Sequence, residues 1–591
     1  MRFLSGKTVP GLADLSVLAL VVGLITGFGA IGFRLLIGLI HNFLFLGQIS
    51  AVYDANLHTP ASPWGAFVIL VPVVGGLFVT FLVTTFAPEA RGHGVPEVMD
   101  AIYYREGVIR PMVAAIKSLA SALSIGSGAS VGREGPIIQI GASLGSSLGQ
   151  MLPATPWQRI TLVAAGAGAG IAATFNTPIG GVMFAIELLM PEISVRTFLP
   201  VALATGTATF IGRLFLGLQP AFVVLPQSAE ADPTLLLLGL YGVLGALTGV
   251  AATGFVRGLH WAERIFERIG SSYLRHVVGT LVLGVLIYVL QREFGHYYVE
   301  GVGYSTIQDI LFGKLSLPGL LFLLWALKLF ATTLSLGSGA SGGIFSPSLF
   351  MGAALGGGFG AIAATIAPGA HVSIPAFAMV GMGSMVGGGT GAAMTAVIMI
   401  FEMTRDYDIV MPMIVAVALS IGVRRLLSRE NIYTIKLVAR RHFIPKALHA
   451  NMFLVRHAAE VMDREVLVMD AATPLDQFLR DAPEGTALKH IAVCRGERIC
   501  GVLRINTGLR KGLAGVHTGV TLGDVAQTNF TIAREDDTVF DVITRLWRKR
   551  GAMAVVVRGG AQRPRAGAVV GMITKEHIAD SVADSVKPYA A

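Results

Sequence analysis

Apolar residues run in long blocks through the greater part of the chain, and polar residues gather only between them. Trp64 to Phe86 and Thr234 to Val256 are free of charge and long enough to cross a bilayer, which takes roughly 20 residues; Ser16 to Phe33 is slightly shorter. These blocks predict transmembrane helices. Leu329 to Phe401 carries no Asp, Glu, Lys or Arg, yet Gly, Pro and Ser interrupt it repeatedly, so it predicts broken helices rather than one uniform span. Near residue 445 the pattern becomes that of a soluble domain. Val539, Val542, Ile543 and Leu546 share one helical face behind Asp537 as N-cap, and the runs at 552–557 and 568–574 predict strands. A helix from Thr473-Pro474 and strands around "HIAVCRGERICGVLRI" form an earlier copy of the same order.

Composition agrees with a membrane protein. Of 591 residues 53% are hydrophobic and 14% charged, and the mean hydropathy of +0.68 excludes an ordinary soluble chain. The 73 glycines lie inside apolar sequence, where small residues let helices approach closely, so they predict packing and not disorder. Cys494 and Cys500 suit buried small residues; they offer neither a disulfide framework nor a metal-ligand set. The start, "MRFLSGKTVPGLADLS", lacks a small-residue cleavage site before a long apolar run, so Ser16 onward reads as a retained first span and the mature protein as beginning near Met1. Arg424, Arg425, Arg429, Lys436, Arg440, Arg441 and Lys446 follow the last apolar run against one acid, Glu430, which places this end in the cytoplasm. The net charge of +9 therefore marks topology, and no nucleic-acid module is evident.

One phrase is written twice. "GSGASVGREGP" (126–136) returns as "GSGASGGIFSP" (337–347), and without a gap Lys117 matches Lys328, Leu123 matches Leu334 and Gly141-Ala142 matches Gly352-Ala353. With a four-residue shift, Glu187 matches Glu402. Such an ordered series marks a duplication, with halves at about 15–217 and 234–430. Repeated membrane halves often have inverted topology and build their site near the midplane, where broken helices from each half meet.

A glycine-rich turn before a helix leaves its first N–H groups without partners, and the helix dipole adds partial positive charge. Two such starts, with Pro136 and Pro347 in their first turns, would offer an anion several amides and no full cation, giving the weak binding that conduction needs. Plain structural caps would use the same residues, and the pattern alone does not separate the two.

"GREGP" at 132–136, "GGIFSP" at 342–347, "GHGVP" at 92–96 and Tyr433 in "NIYTIKL" stand in the order and approximate spacing of the CLC family of chloride channels and proton/chloride antiporters, which the chain resembles over about residues 15–440. The two β-α-β-β-α units resemble a tandem pair of CBS modules. The resemblance implies an all-α polytopic fold with an inverted repeat and broken helices over 1–440, and a cytoplasmic α/β CBS pair over 441–591. It also implies a homodimer in the plasma membrane, with one anion pathway per subunit and no required cofactor; no nucleophile with a base or metal cluster in the chain points to an enzyme. By position, the amides of Ile344 and Phe345 and the Tyr433 hydroxyl would hold a central chloride, and the neighbouring Ser346 is a further anion-binding residue. Those of Arg133, Glu134 and Gly135 would form an outer site. Glu134 would be the gate, because a carboxylate at an anion site competes with chloride for the same amides until a proton removes its charge. A capping acid at a helix start is the plainer alternative. Glu187 and Glu402 read as buried polar anchors.

Three departures bear on function. Where the family usually has "GSGIP", whose serine contacts the central chloride, this chain has His93 before Gly94, and selectivity among anions is open. Antiporters commonly carry a second glutamate after the position of Glu187 for proton uptake; here it is Leu188, so the sequence predicts a passive chloride channel, with the antiporter as the alternative. In the CBS pair, His577 replaces the acid that holds a nucleotide's ribose in the stretch containing Thr574, which puts adenine nucleotide binding in doubt. A membrane-anchored nucleotide sensor is a third reading, but an anchor needs no duplicated polar breaks at membrane depth.

Overall fold

The computed structural model describes residues 11–190, 193–224, 234–442, 444, 455–481, 490–504, 519–559 and 565–590. Lys446, one of the basic residues counted above, lies outside them. The chain divides into two compact units, Met1–Phe443 and Ile444–Ala591.

The first unit is helical. Its first half holds α1 (Leu12–Leu46), α2 (Val71–Thr85), α3 (Val95–Tyr104), α4 (Met112–Gly126), α5 (Glu134–Met151), α6 (Pro156–Phe175), α7 (Pro178–Phe184) and α8 (Val195–Leu216). The second holds α9 (Leu235–Glu267), α10 (Ser272–Phe294), α11 (Tyr304–Leu311), α12 (Pro318–Ser338), α13 (Phe345–Ile366), α14 (Ile374–Thr390), α15 (Ala393–Thr404), α16 (Val410–Leu427) and α17 (Thr434–Ala439). Among the described residues eight helices are long and apolar enough to cross a membrane, so this is a multi-pass membrane protein. Others are too short to do so: α15 begins in the interrupted stretch from Leu329 to Phe401, as that stretch predicts, and α7 lies outside it.

The glycines act as the sequence suggests. A Cβ on Gly141 of α5 would come within 2.1 Å of the Gly166 carbonyl of α6, and one on Gly166 equally close to the Gly141 carbonyl. The second half repeats this with Gly352 of α13 and Gly381 of α14, at 2.3 and 2.2 Å. Backbones that approach so closely leave no room for alanine.

Equivalent residues of the two halves also bond each other reciprocally. Gly132 donates to the Gly343 carbonyl at 2.7 Å and Gly343 to the Gly132 carbonyl at 2.6 Å, as an antiparallel bridge. The Ser130 amide donates to Ser335 Oγ (3.2 Å), while the Ser341 amide donates to Ser124 Oγ (3.1 Å). Glu187 accepts from the amides of Met394 and Thr395 at the start of α15, and Glu402 from those of Ile179 and Gly180 at the start of α7. Two copies can exchange identical bonds in this way only across a local twofold axis, which is the inversion the duplication predicts. Both glutamates are thus helix caps of the opposite half, as their reading as anchors requires.

The second unit is α/β. Strands β1 (Val466–Asp470), β2 (His490–Arg495) and β3 (Arg498–Arg504) form one sheet, with β1 parallel and β3 antiparallel to β2. Strands β4 (Phe530–Arg534), β5 (Met553–Val557) and β6 (Val569–Thr574) repeat the arrangement. The helix Val539–Lys549 buries Val539, Val542 and Leu546. Its N-cap is Thr538, whose Oγ accepts from the Asp541 amide; Asp537, expected in that role, instead pairs with Arg545 at 2.5 Å. The two modules exchange contacts: Asp463 and Met572 bond each other's backbones (both 2.9 Å), as do Val502 and Gln527 (2.9 and 2.8 Å).

Candidate functional site

The loop before α5 and the loop before α13 meet at the Gly132–Gly343 bridge, so two helix starts face one point from opposite halves. A Cβ on Gly135 would lie 2.2 Å from the His93 carbonyl and 2.9 Å from Gly343 Cα, so only glycine lets the three loops converge. Gly94, the N-cap of α3, has φ +84°, a conformation suited to glycine, and packs against Gln139 and Gly135.

Glu134 is the first residue of α5 and is fully buried. Its carboxylate does not cap its own helix, which was the plainer alternative. It reaches across to α13, where Oε2 accepts from the Ser346 amide at 3.2 Å and Oε1 accepts from the hydroxyls of Ser346 and Tyr304. A negative group therefore occupies the start of the opposite helix. The amides of Ile344 and Phe345, one step deeper, have no hydrogen-bond acceptor among the described residues. Both side chains are buried, and the Phe345 ring packs 5.9 Å from that of Phe175. Tyr433, buried at the N-cap of α17, is fixed by its amide to Asn431 Oδ1 (2.9 Å). Its ring lies 5.9 Å from that of His93. His93 is 2% exposed, and its Nδ1 has no partner among the described residues. Arg133 is the N-cap of α5, with its guanidinium 5.1 Å from the Tyr304 ring centre. The anion-binding positions read from the sequence thus lie in one buried cluster; Leu188 lies outside it, in a π-helical turn, Ala185–Leu189, beside Glu187.

Neither Tyr304 nor the role of the two matched lysines was found from sequence. Lys117 and Lys328 are completely buried; the first donates to the carbonyls of Ala90 and Gly92 (2.9 and 2.7 Å), the second to those of Val299 and Gly301 (3.0 and 2.8 Å). Their match in the duplication was visible, and it marked two pinned loops.

In the second unit, Asp463, His490 and His577 each bring a possible metal-binding atom within 4.8 Å of the others. The amide of Glu465 and the ring of His490 outweigh partial burial and hold Asp463 below the usual carboxylate range. Burial pushes His490 down, against the pull of Asp463. However, the Thr574 amide donates to His577 Nδ1 (3.3 Å), so in the neutral ring the other nitrogen carries the proton and offers a metal no lone pair. Thr574 Oγ in turn accepts from the His577 amide. The two residues expected to face a nucleotide therefore cap each other.

The family model described as voltage gated chloride channel matches residues 75–425. A Ralstonia nicotianae protein named as a ClcB-like chloride channel is 34% identical over 60% of this chain and 82% of its own length. The H(+)/Cl(-) exchange transporter ClcA of Vibrio cholerae is 34% identical over 60% of this chain and 75% of its own. Among solved structures, a slow cyanobacterial Cl-/H+ antiporter matches with a TM-score of 0.65 and 27% identity, over 73% of this chain and 99% of that one.

Proposed function

The chain belongs to the voltage gated chloride channel family, and from that premise we propose that it exchanges chloride for protons across a bilayer. One observation carries this reading: the Glu134 carboxylate occupies the amide of Ser346 at the start of α13. A charged Glu134 and an anion cannot share that position, so taking up a proton and admitting an anion become one event. The exchanger-named relatives point the same way, and the passive channel expected from Leu188 gives way to the antiporter. Losing one uptake carboxylate removes one proton route; it does not remove the group at which proton and anion compete.

In this mechanism the amides of Ile344 and Phe345 and the Tyr433 hydroxyl hold the central anion, and the amides of Arg133 to Gly135 help form the outer position. His93, buried with Nδ1 unpartnered, supplies a ring N–H where the family's serine would donate. The protein works as a homodimer in the plasma membrane with its α/β unit in the cytoplasm, and that unit supports the assembly rather than sensing nucleotide. Reconstitution tests the central claim. A proton gradient at fixed chloride shifts the reversal potential of an exchanger; a potential set by chloride alone rejects exchange.

A further inference from the structure

The buried lysines show where the second half places its own contribution to the pathway. Lys117 pins a loop that ends at Gly94 (φ +84°) and opens α3; Lys328 pins the equivalent loop, which ends at Gly303 (φ +77°) and opens α11. A Cβ on Gly303 would meet Phe350 at 2.7 Å and Lys328 Nζ at 3.2 Å, so the turn has one geometry. The residue after each glycine is Val95 in the first half and Tyr304 in the second. One pinned loop thus brings His93 beside Tyr433, and the other brings a phenol hydroxyl to Glu134.

Tyr304 is buried, with Phe222 edge-on at 5.2 Å, Phe175 at 6.3 Å and the Arg133 guanidinium on its ring. Its hydroxyl donates to Glu134 Oε1 and lies 2.9 Å from Ser346 Oγ. Arg133, Tyr433 and Lys328 also act on Glu134 or Tyr304 through their fields, and Arg34 acts on Arg133 and Tyr304. Among the described residues only Tyr304 and Ser346 hydrogen-bond the carboxylate. All three of these donors would face an anion in the same place once the carboxylate leaves.

We propose that the Tyr304 hydroxyl is a ligand of the outer anion position, offered in turn to the Glu134 carboxylate and to chloride. This rests on reading Glu134 as the exchanging carboxylate. Tyr304 is then a positioning residue for the gate and a binding residue for the transported ion.

Chloride binding to the purified full-length protein, compared between Glu134→Ala and Glu134→Ala/Tyr304→Phe, isolates the second role. Loss of a hydrogen bond to a charged ion weakens binding by about tenfold; unchanged affinity overturns it. In vesicles, Tyr304→Phe moves the pH dependence of chloride turnover to higher pH, because a carboxylate that has lost a donor leaves its seat at a lower proton concentration; an unmoved profile overturns the first role. The phenyl ring keeps the packing against Phe175 and Phe222. If that variant fails to fold, a difluorinated tyrosine in place of Tyr304 strengthens the donor at constant shape and moves both readouts the opposite way; no movement overturns the proposal. If wild type proves to be uncoupled, the exchange reading fails, while the binding comparison still decides whether Tyr304 is a ligand.

Discussion

At the start of α5 the chain places Glu134, and at the equivalent start of α13 it places Phe345. The surrounding frame is nearly the same in both: the serine and glycine bonds across the axis, the pinning lysines and the paired helix glycines. The frame is what duplication preserved: the serine and glycine bonds across the axis need both copies, and the lysine and helix-glycine contacts recur within each half. The side chains it presents are free to differ, and there the two halves diverge: His93 and Glu134 in one, Phe345 and Tyr304 in the other. Symmetry holds the two helix starts together, and asymmetry sets a carboxylate, Glu134, on one side only, where the proposed mechanism needs its gate.

The sharpest way to break this comparison is to remove the asymmetric group. Glu134→Ala should abolish the pH dependence of chloride movement and reduce coupled proton flux to background, as read by paired chloride and proton electrodes. The frame itself is tested next. Lys328→Met leaves the carbonyls of Val299 and Gly301 without donors, a cost of about 2–4 kcal/mol, seen as a lower melting temperature in detergent. Smaller and diagnostic is the exchange of caps: Glu187→Gln and Glu402→Gln should each destabilise by about 1 kcal/mol, Glu187 the more because it also accepts from the Thr395 hydroxyl at 2.7 Å. A larger loss at Glu402 would show that the caps do not carry these helix starts. The smallest effect is in the α/β unit. His490 lies below its ordinary value in the fold, so its contribution to stability is present above the unfolded imidazole value and is lost as pH falls through the folded one. Amide exchange of β2 should therefore rise, relative to intrinsic rates, between about pH 7.5 and 5.5.

The frame was legible because Gly, Ser and Pro at fixed spacing have few structural uses, and Glu134 stood out as a candidate because a carboxylate in a glycine-rich turn at membrane depth is costly without a role. Tyr304 was not legible. Its partner 170 positions earlier is set by how two loops cross, and a tyrosine opening a short helix carries no local signal. Leu188 carried less weight than the sequence reading gave it, since relatives named as exchangers favour the antiporter alternative and one missing side chain removes only a single proton route. The N-cap at Thr538 was missed by one residue because Asp537 and Thr538 are both good caps, and only the ion pair with Arg545 decides between them.

The exchanged contacts of the α/β unit bear on the order in which the chain is made. Ala458 donates to the Asp537 carbonyl, Val539 to that of Arg456, and Asp463 is paired with Met572 on the last strand. The opening segment of this unit is thus bonded to residues made much later, up to the last strand. Until β6 has been made the first module lacks these partners, so the unit reaches its full set of bonds only after its last strand is synthesised.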